Sequence, residues 1–195
     1  MLTQNSEELF ASIGPGDIAI DCGANIGEVT QKLADKGALV FAFEPNPFVF
    51  QTLWNRFKGY PNVICINKGV WHENYQLRLY LHQNYQLDPV GSAYASSILA
   101  QHPVTDQNHF VVAEIIDLTQ FIDSLDRDIK LIKIDIEGAE FELLQKIVDK
   151  GQHKRVEKIV VENHEWLIEH LKPIAANFRK RMAEENIQNI DLNWV

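Results

Sequence analysis

The alternation of hydrophobic and polar positions predicts that strands and helices follow one another in the first part of the chain. Residues 18–20 are an unbroken apolar run, which is typical of a buried strand. Ile26, Val29 and Leu33 then recur at helical spacing, and a second apolar run covers residues 38–43. Strand, helix and strand in this order predict a parallel βαβ unit, the building block of doubly wound α/β folds.

The same alternation continues to the end of the chain. Further strands are expected at 62–67, 131–134, 156–161 and within 187–195, and further helices at 47–57, 117–125, between 140 and 151, and at 166–185. Residues 75–81 and 110–116 alternate with period two, which predicts an antiparallel ribbon. We therefore expect one α/β domain over residues 1–195, with a doubly wound, mainly parallel sheet, helices on both faces and a ribbon insertion around 75–116.

The sequence allows more detailed predictions for two of the helices. Asn46 is a good N-cap and Pro47 a good first residue for the helix at 47–57. The residues of that helix expected to face the core are Phe50, Leu53, Trp54 and Phe57. Pro173 is expected to interrupt or kink the helix at 166–185, because proline removes a hydrogen bond from a helix interior.

The turn after the first strand indicates a nucleotide-type ligand. Gly23 and Gly27 are separated by Ala-Asn-Ile, so Asn25 stands where a pyrophosphate-binding turn has its second glycine. No lysine or arginine lies between residues 17 and 31 to favour a phosphate. The turn suits S-adenosylmethionine (SAM), whose ammonium and sulfonium groups would be favoured by Asp21.

Acidic and amide side chains follow most of the predicted strands. The ends of five strands carry Asp21, Glu44, Asn67, Asp135 with Glu137, and Glu162 with Asn163 and His164. Parallel strands end at one edge of a sheet, where doubly wound folds bind ligands. Lys68 and Lys133 are the nearest cations, and buried like charges are costly unless a cation shares the site. This edge is therefore expected to bind a cationic ligand.

Three motifs together resemble the FkbM family of SAM-dependent methyltransferases. They are the segments 15–30, 41–47 and 132–140. The resemblance implies a class I methyltransferase fold and methyl transfer, usually to oxygen, on a sugar or secondary-metabolite-like small molecule. After Glu162 only one clear strand is found, whereas the resembled fold normally ends in a hairpin.

The resemblance also implies roles for individual residues. For the cofactor, Asp21, Gly23 and Asn25 would line the methionine end of SAM, Gly27 would pack the helix onto the strand, Glu44 would hold the ribose, Asn46 would flank it, and Asn67 would lie near the adenine. Asp135 and Glu137 would lie beside the reacting groups. With His164 they are the candidate proton acceptors, and histidine has the best unperturbed pKa for that task. Asp135 and Glu137, with residues 162–164, could bind a divalent metal through oxygen ligands, but the metal-free version is favoured because SAM already supplies a cation.

Composition limits the expected partners. The formal net charge is −9, so we expect no nucleic-acid partner. No apolar run approaches the length of a membrane span. Both cysteines fall in or beside predicted strands, which indicates buried free thiols and a reducing compartment. We therefore expect a cytoplasmic enzyme with a small-molecule acceptor and no membrane partner.

Two alternatives remain open from the sequence. An NAD-dependent oxidoreductase uses a similar fold, although Asn25 and the missing third glycine disfavour it. A SAM-binding protein without activity is the other, weakly disfavoured by Asp135 and Glu137. The polar segment 82–109 is expected to be a mobile acceptor loop, because unstructured loops of this length in compact domains are usually functional or disordered.

Overall fold

The computed structural model describes residues 9–84 and 105–194. The strands are β1 Ile18–Cys22, β2 Leu39–Phe43, β3 Val63–Ile66, β4 Gly69–Trp71, β5 Tyr75–His82, β6 Thr105–Asp117, β7 Ile129–Ile134, β8 Val156–Val161 and β9 Ile190–Asp191. The α-helices are α1 Glu28–Asp35, α2 Pro47–Phe57, α3 Leu118–Ser124, α4 Glu140–Asp149 and α5 Leu171–Glu184. A 3₁₀ turn at Gln152–Arg155 leads into β8. In these ranges no helix combines the length and apolarity needed to cross a membrane.

Six of the strands form one parallel sheet. Their order is β3-β2-β1-β7-β8-β9, and Ile20 in β1 pairs with Phe41 of β2 on one side and Ile132 of β7 on the other. The chain builds outward from β1 in one direction and from β7 in the other, so the order of strands reverses between β1 and β7. Doubly wound folds bind ligands at the carboxyl ends of the strands at this reversal. The predicted α/β fold is confirmed.

The alternating side chains of the sheet bury two separate cores. Ile20 packs in a cluster with Phe141 of α4 and Phe178 of α5. Ala19, the preceding residue, faces the opposite side and packs in a cluster with Leu33 of α1. Because successive side chains of a strand point to opposite faces, one strand supports helices on both sides of the sheet.

The predicted ribbon is present within a second, three-stranded sheet. Its order is β4-β6-β5, with β5 and β6 antiparallel, as in the pair Tyr75 and Ile115. The sequence pattern did not reveal β4, which runs parallel to β6 with Val70 opposite Ile116. Most of the predicted acceptor loop, residues 85–104, lies outside the described residues.

Two local expectations are wrong and one is confirmed. Trp54 is 45% exposed, because α2 buries a narrower stripe than expected. Helix α5 begins at Leu171, so Pro173 lies in its first turn, where a missing N–H removes no helical hydrogen bond. The single strand expected within 187–195 is present: it pairs parallel with β8, with Ile190 opposite Ile159, and no terminal hairpin occurs among the described residues.

Candidate functional site

The turn between β1 and α1 has no room for side chains at its two glycines. A Cβ on Gly23 would lie 1.9 Å from the backbone oxygen of Asp135, and the φ of Gly23 is +77°. A Cβ on Gly27 would lie 2.3 Å from the ring of Phe57. The turn therefore lies directly against the end of β7. Gly27 makes room for α2, whereas the sequence placed it between α1 and the strand.

Asp21, near the end of β1, is fully buried. Thr30 Oγ1 donates a hydrogen bond of 2.6 Å to Asp21 Oδ2, and Asp21 Oδ1 lies 3.6 Å from Lys133 Nζ. The buried Lys133 ammonium also donates to Gly23 O at 2.8 Å and to Asp135 Oδ2 at 3.1 Å. Lys133, one of the two nearest cations expected from the sequence, is therefore in direct contact with the acidic edge. One buried ammonium connects β1, the glycine turn and the end of β7.

Glu44 follows β2 and connects the glycine turn to the start of α2. Asn25 N donates to Glu44 Oε2 at 3.0 Å, and Asn46 N donates to Glu44 Oε1 at 2.8 Å. The buried Oδ1 of Asn25 has no hydrogen-bond partner among the described residues. Asn46 caps α2 as predicted, accepting from Phe48 N, and Asn67 Nδ2 donates to Glu44 O at 2.8 Å. These predicted cofactor residues thus meet at one edge of the sheet.

A second group of polar side chains lies beyond the ends of β7 and β8. The side chain of His164 is buried, and its Nδ1 lies 2.9 Å from Glu140 Oε1. Its Nε2 lies 3.2 Å from Glu137 Oε2 and 4.0 Å from Asp135 Oδ1. The structure therefore brings the three candidate proton acceptors together in one cluster, next to the glycine turn.

Glu140 organises this cluster, and sequence reasoning gave it no role of its own. The side chain is fully buried, and Oε1 accepts from Gly138 N at 2.9 Å and from Ile136 N at 3.3 Å while it contacts His164. One carboxylate thus holds both the loop that carries Glu137 and the imidazole. Sequence reasoning also missed Lys133 as a site residue, although a charge within an apolar strand is a signal, since buried charges are paired.

Burial and neighbouring charges shift several pKa values in the site. Burial raises the pKa of Glu44 to about 7, against the hydrogen bonds from Asn46 and Asn25. Burial acts to lower the pKa of Lys133, but the carboxylates of Asp135 and Asp21 outweigh it and raise that pKa.

The pKa of His164 is raised, as is that of Lys133. Burial acts to lower its pKa, but the hydrogen bond with Glu140 and the charges of Glu140, Glu137 and Asp135 outweigh it and raise the pKa to about 9. The unperturbed histidine pKa therefore does not support His164 as the proton acceptor. Its place in the cluster is the remaining argument for a role.

Comparison with known proteins gives partial matches to methyltransferases. The Ribosomal RNA small subunit methyltransferase A of Bacillus cytotoxicus is 38% identical over 65 residues, 33% of this chain and 22% of that protein. Methyltransferase 1 of Beauveria bassiana is 27% identical over 160 residues, 73% of this chain and 63% of that protein. The crystal structure of Methyltransferase FkbM from Methylobacillus flagellatus is 19% identical with a TM-score of 0.49, and the match covers 82% of this chain and 37% of that one. The chain spans less than two thirds of each of these proteins.

The ribosomal RNA relative corrects one expectation. The net charge of −9 led us to expect no nucleic-acid partner, and that exclusion is wrong because a matching relative is named for ribosomal RNA. The physical reason is that net charge sums over the whole surface, whereas nucleic-acid binding depends on local charge.

The family itself is decided by a match that covers most of the chain. Residues 21–187 match the methyltransferase FkbM domain, and this range includes the glycine turn, Glu44, the buried Lys133 and the cluster around His164. The resemblance found in the three sequence motifs is confirmed, and the chain belongs to the methyltransferase FkbM domain family.

Proposed function

We propose that this chain is a SAM-dependent methyltransferase that acts on a hydroxyl oxygen of a sugar or secondary-metabolite-like acceptor. The observation that carries the proposal is the contact between two parts of the site. The glycine turn lies against Asp135, which belongs to the carboxylate and imidazole cluster with Glu137 and His164. A cofactor held at the turn would therefore lie beside carboxylates able to accept a proton.

The residues of the turn fit SAM. The buried Oδ1 of Asn25 lacks a partner among the described residues, so it offers an acceptor to an ammonium or hydroxyl group. Glu44 is at the strand end where a carboxylate binds ribose hydroxyls in doubly wound folds. Asp21 is buried behind Lys133, so we assign it to support of the turn rather than to direct contact. Asn46 and Asn67 likewise support Glu44.

Bound SAM supplies an activated methyl group on its sulfonium. The chain has to place the acceptor hydroxyl in line with that methyl and to remove one proton. Glu140 contacts Nδ1 of His164, and Nε2 of the same ring contacts Glu137, so we assign the carboxylate of Glu137 to the acceptor proton. Lys133 holds Asp135 by Oδ2, so that carboxylate is kept in a fixed position. Family membership argues against the oxidoreductase alternative.

Calorimetry with SAM tests the cofactor assignment. We expect the wild type to bind SAM and Glu44→Gln to bind it roughly 10- to 100-fold more weakly, since a hydrogen bond to a charged group contributes about 1.5–3 kcal/mol. Glu165→Gln is the matched control, because Glu165 pairs with Arg179 outside the cluster. Equal affinities of the two variants would remove the ribose role of Glu44, and no binding by the wild type would refute the proposal.

Release of S-adenosylhomocysteine tests the transfer step. The acceptor panel contains sugars, phenolic and aliphatic alcohols, and ribosomal RNA. Turnover with a hydroxyl compound supports the proposed acceptor class, whereas turnover with RNA alone would replace it. SAM binding without turnover on any acceptor would favour a binding protein without activity.

A further inference from the structure

We propose that Asp135, Glu137 and His164 bind one divalent transition-metal ion, with Mn²⁺ as a suitable probe. The proposal rests on the proposed function, because the same site would receive the acceptor hydroxyl. Each of the three residues offers one ligand atom, and these atoms all lie within 4.8 Å of one another. The sequence favoured a metal-free site, but it did not show how closely these atoms approach.

The separations suit a single ion. Ligand bonds of about 2.1 Å place neighbouring ligand atoms about 3.0 Å apart and opposite ones about 4.2 Å apart in octahedral geometry. The Nε2 of His164 lies 3.2 Å from Glu137 Oε2 and 4.0 Å from Asp135 Oδ1. Both distances fall within this range, and the third separation is at most 4.8 Å, so side-chain movements can bring the three atoms onto one ion.

A carboxylate outside the ligand set orients the histidine. Glu140 Oε1 lies 2.9 Å from His164 Nδ1, so this nitrogen is engaged and Nε2 faces the two candidate carboxylate ligands. Histidine ligands of metals almost always use their second nitrogen in such a contact, which sets the tautomer and the ring orientation. Glu140 also holds the loop of Glu137 through Gly138 N. Ligands from two loops are therefore held in one arrangement before any ion binds.

The charge of the surroundings favours a further cation. Glu140 is fully buried, and its Oε2 has no hydrogen-bond partner among the described residues. Lys133 contacts the Oδ2 of Asp135 and leaves Oδ1 for an ion. The ammonium of Lys133 pairs with Asp21 and Asp135, and the buried carboxylate of Glu140 also needs compensating charge.

The ligand types indicate the class of ion and its use. One imidazole with two carboxylates suits first-row transition ions better than Mg²⁺ or Ca²⁺, which prefer oxygen ligands. Three protein ligands leave coordination positions open for the acceptor hydroxyl, whose pKa falls when its oxygen binds a divalent ion. The acceptor proton would then pass to the carboxylate oxygen of Glu137 that does not bind the ion, since each ligand residue offers one ligand atom.

Titration of chelator-treated wild type with MnCl₂, followed by calorimetry and electron paramagnetic resonance, tests the site. We expect one Mn²⁺ per chain and an affinity at least about tenfold lower in Glu137→Gln, the scale of losing a group that supports a metal site. Glu142→Gln is the matched control, since Glu142 is an exposed acid of α4 near His72, and it should bind as the wild type does. Asp135→Asn is a second ligand variant in case Glu137→Gln fails to fold, which circular dichroism reports.

The outcomes separate this inference from the proposed function. No saturable binding by the wild type, or equal binding by the wild type and a folded ligand variant, overturns the metal site. SAM binding is measured in parallel with chelator present, because the cofactor residues do not include the metal ligands. SAM binding without Mn²⁺ binding overturns the metal site alone, whereas Mn²⁺ binding without SAM binding supports the metal site and refutes the cofactor assignment.

Discussion

Replacement of Lys133 by methionine tests whether the buried ammonium stabilises the site. The substitution keeps an unbranched side chain in β7 but removes the cation that faces Asp21 and Asp135. Asp21 is fully buried, and its Oδ1 has no hydrogen-bond partner in the described part of the chain, so its charge would be left without this compensation. We therefore expect Lys133→Met to be folded less stably at neutral pH.

The size of the effect follows from the burial of the two carboxylates. Removing one partner of a buried ion pair costs about 3–5 kcal/mol, because the other charge remains buried. Asp135 is 24% exposed, so water replaces part of its interaction, and most of the loss comes from Asp21. For a chain of this size each kcal/mol lowers the melting temperature by about 2–4 °C, which gives a decrease of roughly 6–20 °C.

Urea denaturation followed by circular dichroism measures the free energy of unfolding. Lys130→Met is the matched control, because Lys130 lies in the same strand and pairs with the largely exposed Glu157, so the loss should be at most about 1 kcal/mol. Asp21→Asn in the Lys133→Met background removes the uncompensated charge and should recover roughly 2 kcal/mol. The reasoning is refuted if Lys133→Met is as stable as the control or if the second substitution recovers nothing.

Two further predictions concern stability. Asp117 caps α3 and pairs with Lys146 at 2.8 Å. Burial acts to raise the pKa of Asp117, but the hydrogen bonds from Lys146, Thr119 and Gln120 outweigh it and lower this pKa to about 2. Because this pKa is below the unfolded value of about 3.9, the stabilisation is present above pH 4 and is lost as the pH falls to 2. Asp117→Asn should therefore cost about 2 kcal/mol at pH 7 and flatten the acid side of the curve of unfolding free energy against pH, measured by urea titrations. Parallel curves for the wild type and the variant would contradict this. Gly23→Ala should lower both the melting temperature and SAM affinity, because its Cβ would meet the backbone oxygen of Asp135 at 1.9 Å, whereas Gly59→Ala, with open space, should change neither.

Much of the fold could be predicted from the sequence because it depends on local patterns. The apolar runs and helical spacings specify which side chains each strand and helix buries, and the order of elements favours a parallel sheet. The cap at Asn46 is a contact between near neighbours, so it too was predictable. Parallel strands end at one edge, and therefore the gathering of Asp135, Glu137 and His164 followed from their positions after two strands.

The electrostatics of the site were decided by the tertiary structure. Periodicity sets the direction of a side chain relative to its own strand or helix, but charge compensation depends on atoms from other elements. Lys133 reaches Asp21 because β7 pairs with β1, a neighbour far away in the sequence. Glu140 meets His164 because α4 begins beside the end of β8. A charge within an apolar strand signals that Lys133 has a partner, but it does not say which one, and for this reason only the folded chain shows which acids are compensated.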